Sequence, residues 1–547
     1  MTPHADDPST PANGRYNGPY KGHQTIGHAN NGVRHAPLSG GKSRSHLRYT
    51  AETELHDLVC VGFGPASLAI AVALHDAVDG AEGASGLPSL HGSPPKVVFL
   101  EKQPQFAWHA GMLLEGAKMQ ITFLKDMATL RNPRSEFTFI NYLHKNNRLV
   151  DFTNLSTFLP QRVEYEDYMR WCSKWFDEVV SYSQEVVEVL PEKTTKGEHS
   201  VPSFTVVSRN INTGETTTRR TRHVVIATGG RPQIPRSLPQ SHPRVIHSSQ
   251  YSLTIPRIFR DPQHPYRFAI IGGGQSAAEI FENLNSHYPN STTRLLIKHS
   301  ALRPSDDSPF VNEIFNPSRV NDFYKQSASI RAASIAEDRN TNYGVVRLEL
   351  LERIYEELYI QRIRYASEED WPRRILPHRT VTAIDDSPVR KGGVRLHVHN
   401  ESGNFLVDGA LGDEVMDVDA VLVASGYRRD AHEDILQNAR HLMPGGDRPD
   451  NNWTVGRDYR VEFEKGAVAS DAGVWLQGCC ESTHGLSDTL LSILACRAGH
   501  LVDSIFGSAV NDGDAILEGN GVNGHAETNG VNGHVETNGM ALTNGVH

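Results

Sequence analysis

The stretch HDLVCVGFGPASLAIAVALHDA, residues 56–77, constrains this chain more than any other part of its sequence. It opens with a short apolar run typical of a buried strand, turns at Gly62 and Gly64, and continues from Ser67 with a long helical pattern. Glycines at such a turn let a pyrophosphate approach the backbone, and the start of the following helix favours anions. The stretch therefore predicts a dinucleotide-binding βαβ unit without identifying the nucleotide.

A second apolar strand, KVVFLEK, ends at Glu101. A carboxylate that closes the second strand of such a unit can bind the ribose hydroxyls of a dinucleotide, usually about 20 residues beyond the glycines. Here 37 positions separate Gly64 from Glu101, and the Gly/Ser/Pro-rich insertion from Asp79 to Pro95 accounts for the excess.

A similar pattern recurs at RFAIIGGGQSAAEIFENLNSH, residues 267–287, and predicts a second nucleotide site. The following strand, TTRLLIKHS, carries Arg294 and Lys298 where an acid would select a free 2′-hydroxyl. These cations can instead bind a 2′-phosphate, which favours NADPH over NADH, although a solvated lysine is the alternative. Two further runs, HVVIATGGRP and DAVLVASGYRR, are predicted strands at the edges of nucleotide-binding domains.

Composition limits the classes of function. The 547 residues predict two or three domains, and 38% hydrophobic with 22% charged residues is typical of a globular enzyme. A net charge of −10 without a sustained basic run argues against a nucleic-acid or anionic-membrane partner, and no run approaches the roughly 18 apolar residues of a membrane span. The five cysteines form no CxxC pair and no metal-ligand spacing, so we expect buried thiols, no metal and a reducing, cytoplasmic location.

Both ends of the chain differ from its middle. Residues 1–49 are rich in Gly, His, Asn, Ser and Pro, and the C-terminal part repeats NGVNGHAET as NGVNGHVET. Both lack hydrophobic periodicity, which predicts disorder.

Several blocks in order carry a family resemblance: GFGPASLAIAVALHD, EKQPQFAWHAGMLL, MQITFLKDMATLRNPRSEFTF, GGGQSAAE, RPSDDSPFVNEIFNP, NYGVVR, DAVLVASGY and HGLSDTLLS. Together they resemble the flavin-dependent N-hydroxylating monooxygenases, and most closely the fungal L-ornithine N5-monooxygenases of hydroxamate siderophore biosynthesis. The resemblance covers residues 56–502 and leaves out the tails and the insertion.

The resemblance implies FAD at the first turn and NADPH at the second. The positions that match the FAD site are Gly62, Gly64, Pro65, Glu101, Lys102, Trp108, His109, Gln120 and Leu490. The positions that match the NADPH site are Gly272, Gly273, Gly274, Gln275, Ser276 and Lys298.

Four further positions match the family's amino-acid site: Lys125, Asn312, Asn342 and Ser492. Their chemistry suits zwitterionic ornithine, which presents a carboxylate, an α-ammonium and a side-chain amine. Lys125 can pair with the carboxylate, and Asn312 can bridge the carboxylate and the α-amine. Ser492 lies in a turn that we expect near the flavin, where a neutral hydroxyl suits an uncharged amine better than a carboxylate does.

The resemblance also implies the reaction. NADPH reduces FAD, the reduced flavin and O2 form a C4a-hydroperoxyflavin, and N5 of L-ornithine attacks its distal oxygen in the first step of siderophore synthesis. The flavin carries this chemistry, so no protein residue is expected to act as a catalytic nucleophile. Relatives imply a homotetramer.

We therefore predict an α/β fold with two Rossmann-like dinucleotide-binding domains, a smaller substrate-binding region and disordered termini. The predicted boundaries are 1–50 for the N-terminal tail, 51–255 for the first part of the FAD domain, 256–410 for the NADPH domain with substrate-binding segments, 411–508 for the return to the FAD domain, and 509–547 for the C-terminal tail.

Three alternatives remain at this level. Another class B flavin monooxygenase could act on N6 of lysine, or on sulfur or ketone substrates, because one methylene changes affinity by only about 1–3 kcal/mol. A disulfide reductase would share both nucleotide sites but needs a redox-active pair, and the adjacent Cys479 and Cys480 are not CxxC. A non-catalytic binding protein would predict damaged glycine turns or missing substrate residues. In this sequence both glycine turns are intact and the substrate residues are all present.

Overall fold

A computed structural model of the protein describes residues 45–79, 90, 94–192, 200–401 and 412–507. The predictions of disorder for both tails, and the C-terminal repeat, lie outside the described residues.

The strands are β1 Leu55–Val61, β2 Val97–Leu100, β3 Val180–Ser181, β4 Gln184–Pro191, β5 Phe204–Asn210, β6 Thr216–Ile226, β7 Arg231–Pro232, β8 Val245–His247, β9 Arg267–Ile271, β10 Thr292–Leu296, β11 Arg373–Leu376, β12 Arg379–Asp386, β13 Val394–Asn400, β14 Glu414–Val418, β15 Ala420–Val423, β16 Tyr427–Arg428 and β17 Gly473–Leu476. The helices are α1 Pro65–Asp79, α2 Phe139–Lys145, α3 Leu149–Asn154, α4 Arg162–Ser173, α5 Tyr251–Ile258, α6 Gln275–His287, α7 Pro309–Asn312, α8 Arg319–Lys325, α9 Ala328–Asn342, α10 Leu348–Arg364, α11 Ala431–Ile435, α12 Glu481–His484 and α13 Leu494–Phe506.

The first sheet is built around β1. Its strand order is β3-β2-β1-β6-β5-β4, and β17 also pairs with β6. All pairs among β3, β2, β1, β6 and β17 are parallel, whereas β4 and β5 extend the sheet as antiparallel strands. Four apolar residues of β1, Leu58 to Val61, are buried in the same hydrophobic cluster as α1, which packs against α13. This arrangement confirms the predicted βαβ unit at residues 56–77.

The second sheet is fully parallel, in the order β11-β10-β9-β15-β8. Helix α6 packs on β9 and β10, and α10 packs on α6. Strands β8 and β15 come from outside residues 256–410, so this sheet draws on a wider part of the chain than the range predicted for the NADPH domain. The domain boundaries themselves stay a prediction.

The runs HVVIATGGRP, residues 223–232, and DAVLVASGYRR, residues 419–429, contain strands, as predicted. The first contains the end of β6 and the second contains β15, so each lies inside a different parallel sheet. Beyond these ends, β7 and β16 pair with each other in an antiparallel arrangement. A separate antiparallel sheet of β12, β13 and β14 completes the fold.

The predicted α/β fold with two Rossmann-like units is confirmed. Both sheets belong to one compact unit that extends to Phe506. In open parallel sheets, ligands bind beyond the carboxyl ends of the strands, which is where both glycine turns lie. Among the described residues, none of the helices combines the length and apolar character needed to cross a membrane.

Candidate active site

The first glycine turn joins β1 to α1 and needs glycine at one position. Gly62 has φ +92, and a Cβ on it would lie 2.7 Å from the carbonyl oxygen of Ala227. Gly64 differs, because a Cβ there would meet no atom of a described residue within 4 Å. Pro65 begins α1, so the open side of Gly64 lies at a helix N-terminus, an arrangement that fits a pyrophosphate.

The Glu101 carboxylate, directly after β2, reaches this turn. Its Oε2 accepts a hydrogen bond from the backbone N–H of Phe63 at 2.6 Å, and its Oε1 accepts one from Gln103 at 2.7 Å. Each carboxylate oxygen keeps a second lone pair, which fits the ribose hydroxyl of a dinucleotide. The neighbouring Lys102 pairs with Glu185 through atoms 2.7 Å apart at the surface, so its charge is engaged there.

The second glycine turn joins β9 to α6, and it too needs glycine at one position. Gly272 has φ +137, and a Cβ on it would lie 2.5 Å from the carbonyl oxygen of Ala424. Gly273 and Gly274 follow without positive φ, and α6 then begins at Gln275. The side chain of Gln275 accepts a hydrogen bond from the backbone N–H of Arg347 at 2.9 Å, so the helix start is tied to the segment before α10.

The two basic residues after this turn have different surroundings. Lys298 is exposed beyond the end of β10 and forms no ion pair with any described residue. Arg294 donates to the carbonyl oxygen of Pro372 at 3.0 Å, and burial with the nearby Arg374 and Arg373 lowers its pKa to about 10. Lys298 is therefore the more accessible cation for a 2′-phosphate.

A cavity of about 320 Å³ gathers residues from all three predicted groups. Those from the FAD set are Trp108, His109, Gln120 and Leu490. Those from the NADPH set are Gln275 and Ser276, and those from the substrate set are Lys125, Asn312, Asn342 and Ser492. The other predicted residues, which are the glycines of both turns with Pro65, Glu101, Lys102 and Lys298, do not line it.

Two of the substrate-set residues carry polar atoms that have no partner in the described part of the chain. Lys125 is half-buried, no carboxylate of the described residues lies within ion-pair distance of it, and burial lowers its pKa. Ser492 is 2% exposed, and its hydroxyl has no hydrogen-bond partner among the described residues. Buried polar atoms are rarely left unpaired, so the Ser492 hydroxyl fits a ligand that supplies its missing partner, and the Lys125 ammonium offers such a ligand a positive charge.

The two asparagines stand at helix ends that border the cavity. Asn312 is the last residue of α7, and its side-chain amide donates to the carbonyl oxygen of Asp307 at 2.8 Å. That bond leaves its side-chain oxygen as an acceptor. Asn342 is the last residue of α9.

His109 lines the cavity in a left-handed conformation with φ 48. The residue is exposed, and the ring of Trp108 lies edge-on to its imidazole with the ring centroids 4.9 Å apart. Partial loss of hydration against the neighbouring residues, together with the charges of Arg162 and Arg429, lowers the pKa of His109 below its ordinary value. The imidazole is therefore neutral at pH 7 and presents no positive charge to an amine.

The cavity also contains charged residues that the sequence did not single out. They are Lys118, Arg162, Arg347, Arg429, Asp306 and Asp307. Asp306 and Asp307 lie in the block RPSDDSPF and Arg429 ends DAVLVASGYRR, so those blocks held a signal for them. Arg162 begins α4, where no motif indicates a site, and only the packing of α4 beside α6 brings it here.

Comparisons with known proteins agree with this geometry. A sequence model described as L-lysine 6-monooxygenase/L-ornithine 5-monooxygenase matches residues 54–429. The chain is 63% identical over 473 residues to an L-ornithine N(5)-monooxygenase of Cochliobolus heterostrophus, an alignment that covers 85% of this chain and 89% of the relative.

Solved structures give the same result. The ornithine hydroxylase of Pseudomonas aeruginosa is 36% identical with a TM-score of 0.72, over 83% of this chain and 99% of that chain. The ornithine N-hydroxylase of Kutzneria sp. 744, in a structure with FADred, NADP+ and L-orn, is 33% identical with a TM-score of 0.71 over the same shares. The family match over more than half of the chain and these similarities agree with the two nucleotide turns and the shared cavity, and the chain belongs to the L-lysine 6-monooxygenase/L-ornithine 5-monooxygenase family.

Proposed function

We propose that this chain hydroxylates the side-chain N5 of L-ornithine, with FAD as its flavin, NADPH as reductant and O2 as oxygen donor. The observation that carries the proposal is the single cavity that collects Lys125, Asn312, Asn342 and Ser492 beside residues of both predicted nucleotide sites. A relative that is 63% identical is named for ornithine, which supports this substrate over lysine.

The two turns would hold the cofactors. Gly62, Gly64 and Pro65 would receive the FAD pyrophosphate, and Glu101 the ribose of its AMP half. Gly272 to Ser276 would receive NADPH, with Lys298 at its 2′-phosphate. Bound FAD supplies the oxygen activation, which protein side chains cannot provide.

Lys125 and the asparagines would orient the amino acid. The Lys125 ammonium is half-buried and pairs with no carboxylate of the described residues, so it would attract the ornithine carboxylate strongly, because water screens the pair less there. The free acceptor oxygen of Asn312 suits the α-ammonium. Fixing this end places the side-chain amine at a defined distance across the cavity.

The reacting amine must be neutral. A free alkyl ammonium titrates near 10.4, by analogy with lysine, so the site has to favour the deprotonated form at pH 7. The hydroxyl of Ser492 can donate a hydrogen bond to the lone pair of N5, an interaction that an ammonium cannot accept. The neutral His109 and the limited water around a buried hydroxyl act in the same direction.

The test is a coupling assay on the purified protein loaded with FAD. NADPH oxidation should yield nearly stoichiometric hydroxylamine with L-ornithine and little with L-lysine. Equal coupling with both amino acids would contradict the ornithine assignment, and no hydroxylamine with either would contradict the proposed activity. A cytoplasmic location and a homotetramer remain predictions that cell fractionation and light scattering can check.

A further inference from the structure

Three arginines lie on one face of the second parallel sheet, toward the start of its strands. Arg294 on β10 is directly opposite Arg374 on the neighbouring parallel strand β11. On the other side of β10, Arg294 is opposite Ala269 of β9, and Arg267 stands two positions before Ala269. Because side chains alternate between the two faces of a sheet, Arg267, Arg294 and Arg374 share one face. We call these three residues the arginine cluster.

The packing of neighbouring residues identifies this face. Ala269 and Leu296, which alternate in phase with Arg294, belong to the hydrophobic cluster shared with the antiparallel sheet of β12, β13 and β14. Leu295 and Ile375, which are out of phase with it, pack in the cluster that contains α6 and α10. The arginine cluster therefore lies on the side of the antiparallel sheet and away from the two helices.

Positive charge exceeds negative charge in the arginine cluster. The Nε atom of Arg374 lies 3.6 Å from Oε1 of Glu368, and it is buried without a hydrogen-bond partner in the part of the chain that the structure describes. Arg294 donates to the backbone carbonyl oxygen of Pro372 at 3.0 Å, and Arg267 is exposed. Neither of these two guanidinium groups forms an ion pair with a carboxylate of a described residue. Three guanidinium groups thus share the single carboxylate of Glu368.

The carboxylates that the antiparallel sheet brings to this side are bound by other arginines. Asp417 on β14 accepts hydrogen bonds from Arg395 through both carboxylate oxygens, at 3.0 and 2.7 Å. Asp419, directly after β14, accepts two from Arg390, at 2.8 and 2.6 Å. These pairs satisfy their own charges and leave the excess positive charge of the arginine cluster in place.

The arrangement of the arginine cluster is unfavourable unless an anion joins it. Strands in a sheet are about 4.8 Å apart, so the like charges of Arg294 and Arg374 repel each other across β10 and β11. Burial and the surrounding arginines lower the pKa of Arg294 to about 10. An oxyanion between the guanidinium groups would relieve the repulsion, and the planar fork of N–H donors matches the oxygens of a phosphate.

We propose that the arginine cluster binds a phosphate group, either free phosphate or the phosphate of a small ester, with Arg294 and Arg374 as direct ligands and Arg267 as a third positive charge. This site is separate from the proposed NADPH site. Dinucleotides bind beyond the carboxyl ends of parallel strands, where Lys298 lies, whereas the arginine cluster is nearer the start of the strands. Lys298 is four positions beyond Arg294, about 13 Å along an extended chain, so both sites can be filled together.

The first test is isothermal titration calorimetry on the FAD-loaded full chain saturated with NADP+. Inorganic phosphate and glycerol 3-phosphate are the two probes, above neutral pH where the phosphate group is a dianion, and at constant ionic strength because salt screens the charges. Saturable binding of inorganic phosphate alone identifies free phosphate as the ligand, and tighter binding of the ester identifies an ester. Absence of saturable binding for both probes would overturn the proposal.

Variants locate the binding. Arg374→Gln should weaken phosphate binding about 10- to 100-fold, because one charge-assisted contact is lost, and Arg374→Lys should weaken it less. Lys298→Gln should leave phosphate affinity unchanged, as should Arg209→Gln on β5, an exposed arginine that pairs with Glu185. Equal weakening by Lys298→Gln and Arg374→Gln would place the phosphate in the NADPH site and overturn the proposal. If Arg374→Gln does not fold, Arg267→Gln, at an exposed position, replaces it in this comparison.

Thermal unfolding distinguishes a binding role from a structural one. In chloride, Arg374→Gln should unfold at a higher temperature than the unmodified chain, because it removes a like charge opposite Arg294. Low millimolar phosphate should raise the Tm of the unmodified chain and have a much smaller effect on the variant. A variant that is less stable in chloride, and that gains as much from phosphate as the unmodified chain does, would show that Arg374 is structural and would overturn the site.

Discussion

The guanidinium of Arg162 donates to both carboxylate oxygens of Glu279, at distances of 2.9 and 2.8 Å. Arg162 also donates to the carbonyl oxygen of Met112 at 2.8 Å, and Glu279 accepts a further bond from Gln275 at 2.9 Å. The side chains of Arg162 and Glu279 are 12% and 7% exposed, respectively. The pair thus links α4, which packs on α1, to the start of α6, where the second glycine turn ends.

Removing one partner of this pair should be costly. Glu279→Ala leaves a largely buried arginine without its carboxylate, and the free energy of unfolding should fall by about 3 kcal/mol. The measurement is chemical denaturation with FAD in excess. Glu282→Ala on the same helix is the matched control, because its partner Arg353 is 55% exposed. Such a surface pair contributes at most about 1 kcal/mol, so equal losses in the two variants would contradict the assignment.

Alanine substitutions at the two glycines of the first turn should have different effects, one on the free energy of unfolding and the other on FAD binding. Gly62→Ala forces a positive φ and a Cβ contact at 2.7 Å, so it should lower the free energy of unfolding by at least about 2 kcal/mol. Gly64→Ala has space for its Cβ in the free protein and should retain stability, but the methyl group would occupy the side where a pyrophosphate approaches. Denaturation of the apoprotein and titration with FAD measure the two effects. Tight FAD binding by the Gly64→Ala variant would contradict the prediction that the FAD pyrophosphate lies against Gly64.

The local elements could be predicted from sequence because each is set by short-range physics. An apolar run, a glycine turn and a helical pattern predict β1 with α1 and β9 with α6, and the structure has both. The connection of distant strands could not be predicted in this way. Strand β8 ends 25 residues before Gly272 and β15 follows the turn much later in the sequence, yet both strands belong to the same sheet. Only burial of all faces of a parallel sheet decides such pairings.

In the candidate site too, residues within recognisable sequence blocks could be predicted, whereas residues placed only by tertiary contacts could not. The cavity residues that were predicted came from family blocks and not from spacing, since Lys125 and Ser492 are ordinary residues when they stand alone. Arg162 was missed because its importance depends on one tertiary contact with Glu279, which no local pattern encodes.

The protein should lose stability below neutral pH through buried neutral histidines. His484 stacks on Tyr459 with ring centroids 3.9 Å apart, and burial lowers its pKa to about 4. The unfolded chain therefore takes up this proton first, and the free energy of unfolding falls as pH decreases from about 6.5 to about 4, then levels. His484→Gln should reduce the slope by about 1 kcal/mol per pH unit in that window. The exposed His287→Gln should leave the slope unchanged, and an equal effect of both would contradict the prediction.

Lys125→Ala should impair ornithine binding without affecting flavin reduction. Loss of one charge-assisted contact, about 1.5–3 kcal/mol, corresponds to a KM for ornithine that rises about 10- to 100-fold. Stopped-flow reduction of FAD by NADPH should remain close to that of the unmodified protein. Lys118→Ala is the control, because Lys118 lines the same cavity but is exposed. Equal loss in both half-reactions would contradict the carboxylate assignment.

Ser492→Ala should lower the yield of hydroxylamine without lowering the free energy of unfolding. Replacement of a structural serine should instead lower the free energy of unfolding. The Ser492 hydroxyl is buried and has no partner among residues that the structure describes, so its removal should leave the free energy of unfolding unchanged within about 0.5 kcal/mol or raise it. Ser504→Ala removes a hydroxyl that accepts from Trp475 at 3.0 Å and donates to Asp458, and it should cost about 1 kcal/mol. In the coupling assay, however, Ser492→Ala should lower hydroxylamine yield per NADPH with ornithine, because N5 loses the donor that favours its neutral form. If Ser492→Ala lowers stability as Ser504→Ala does and keeps full coupling, Ser492 has a structural role and does not contact the substrate.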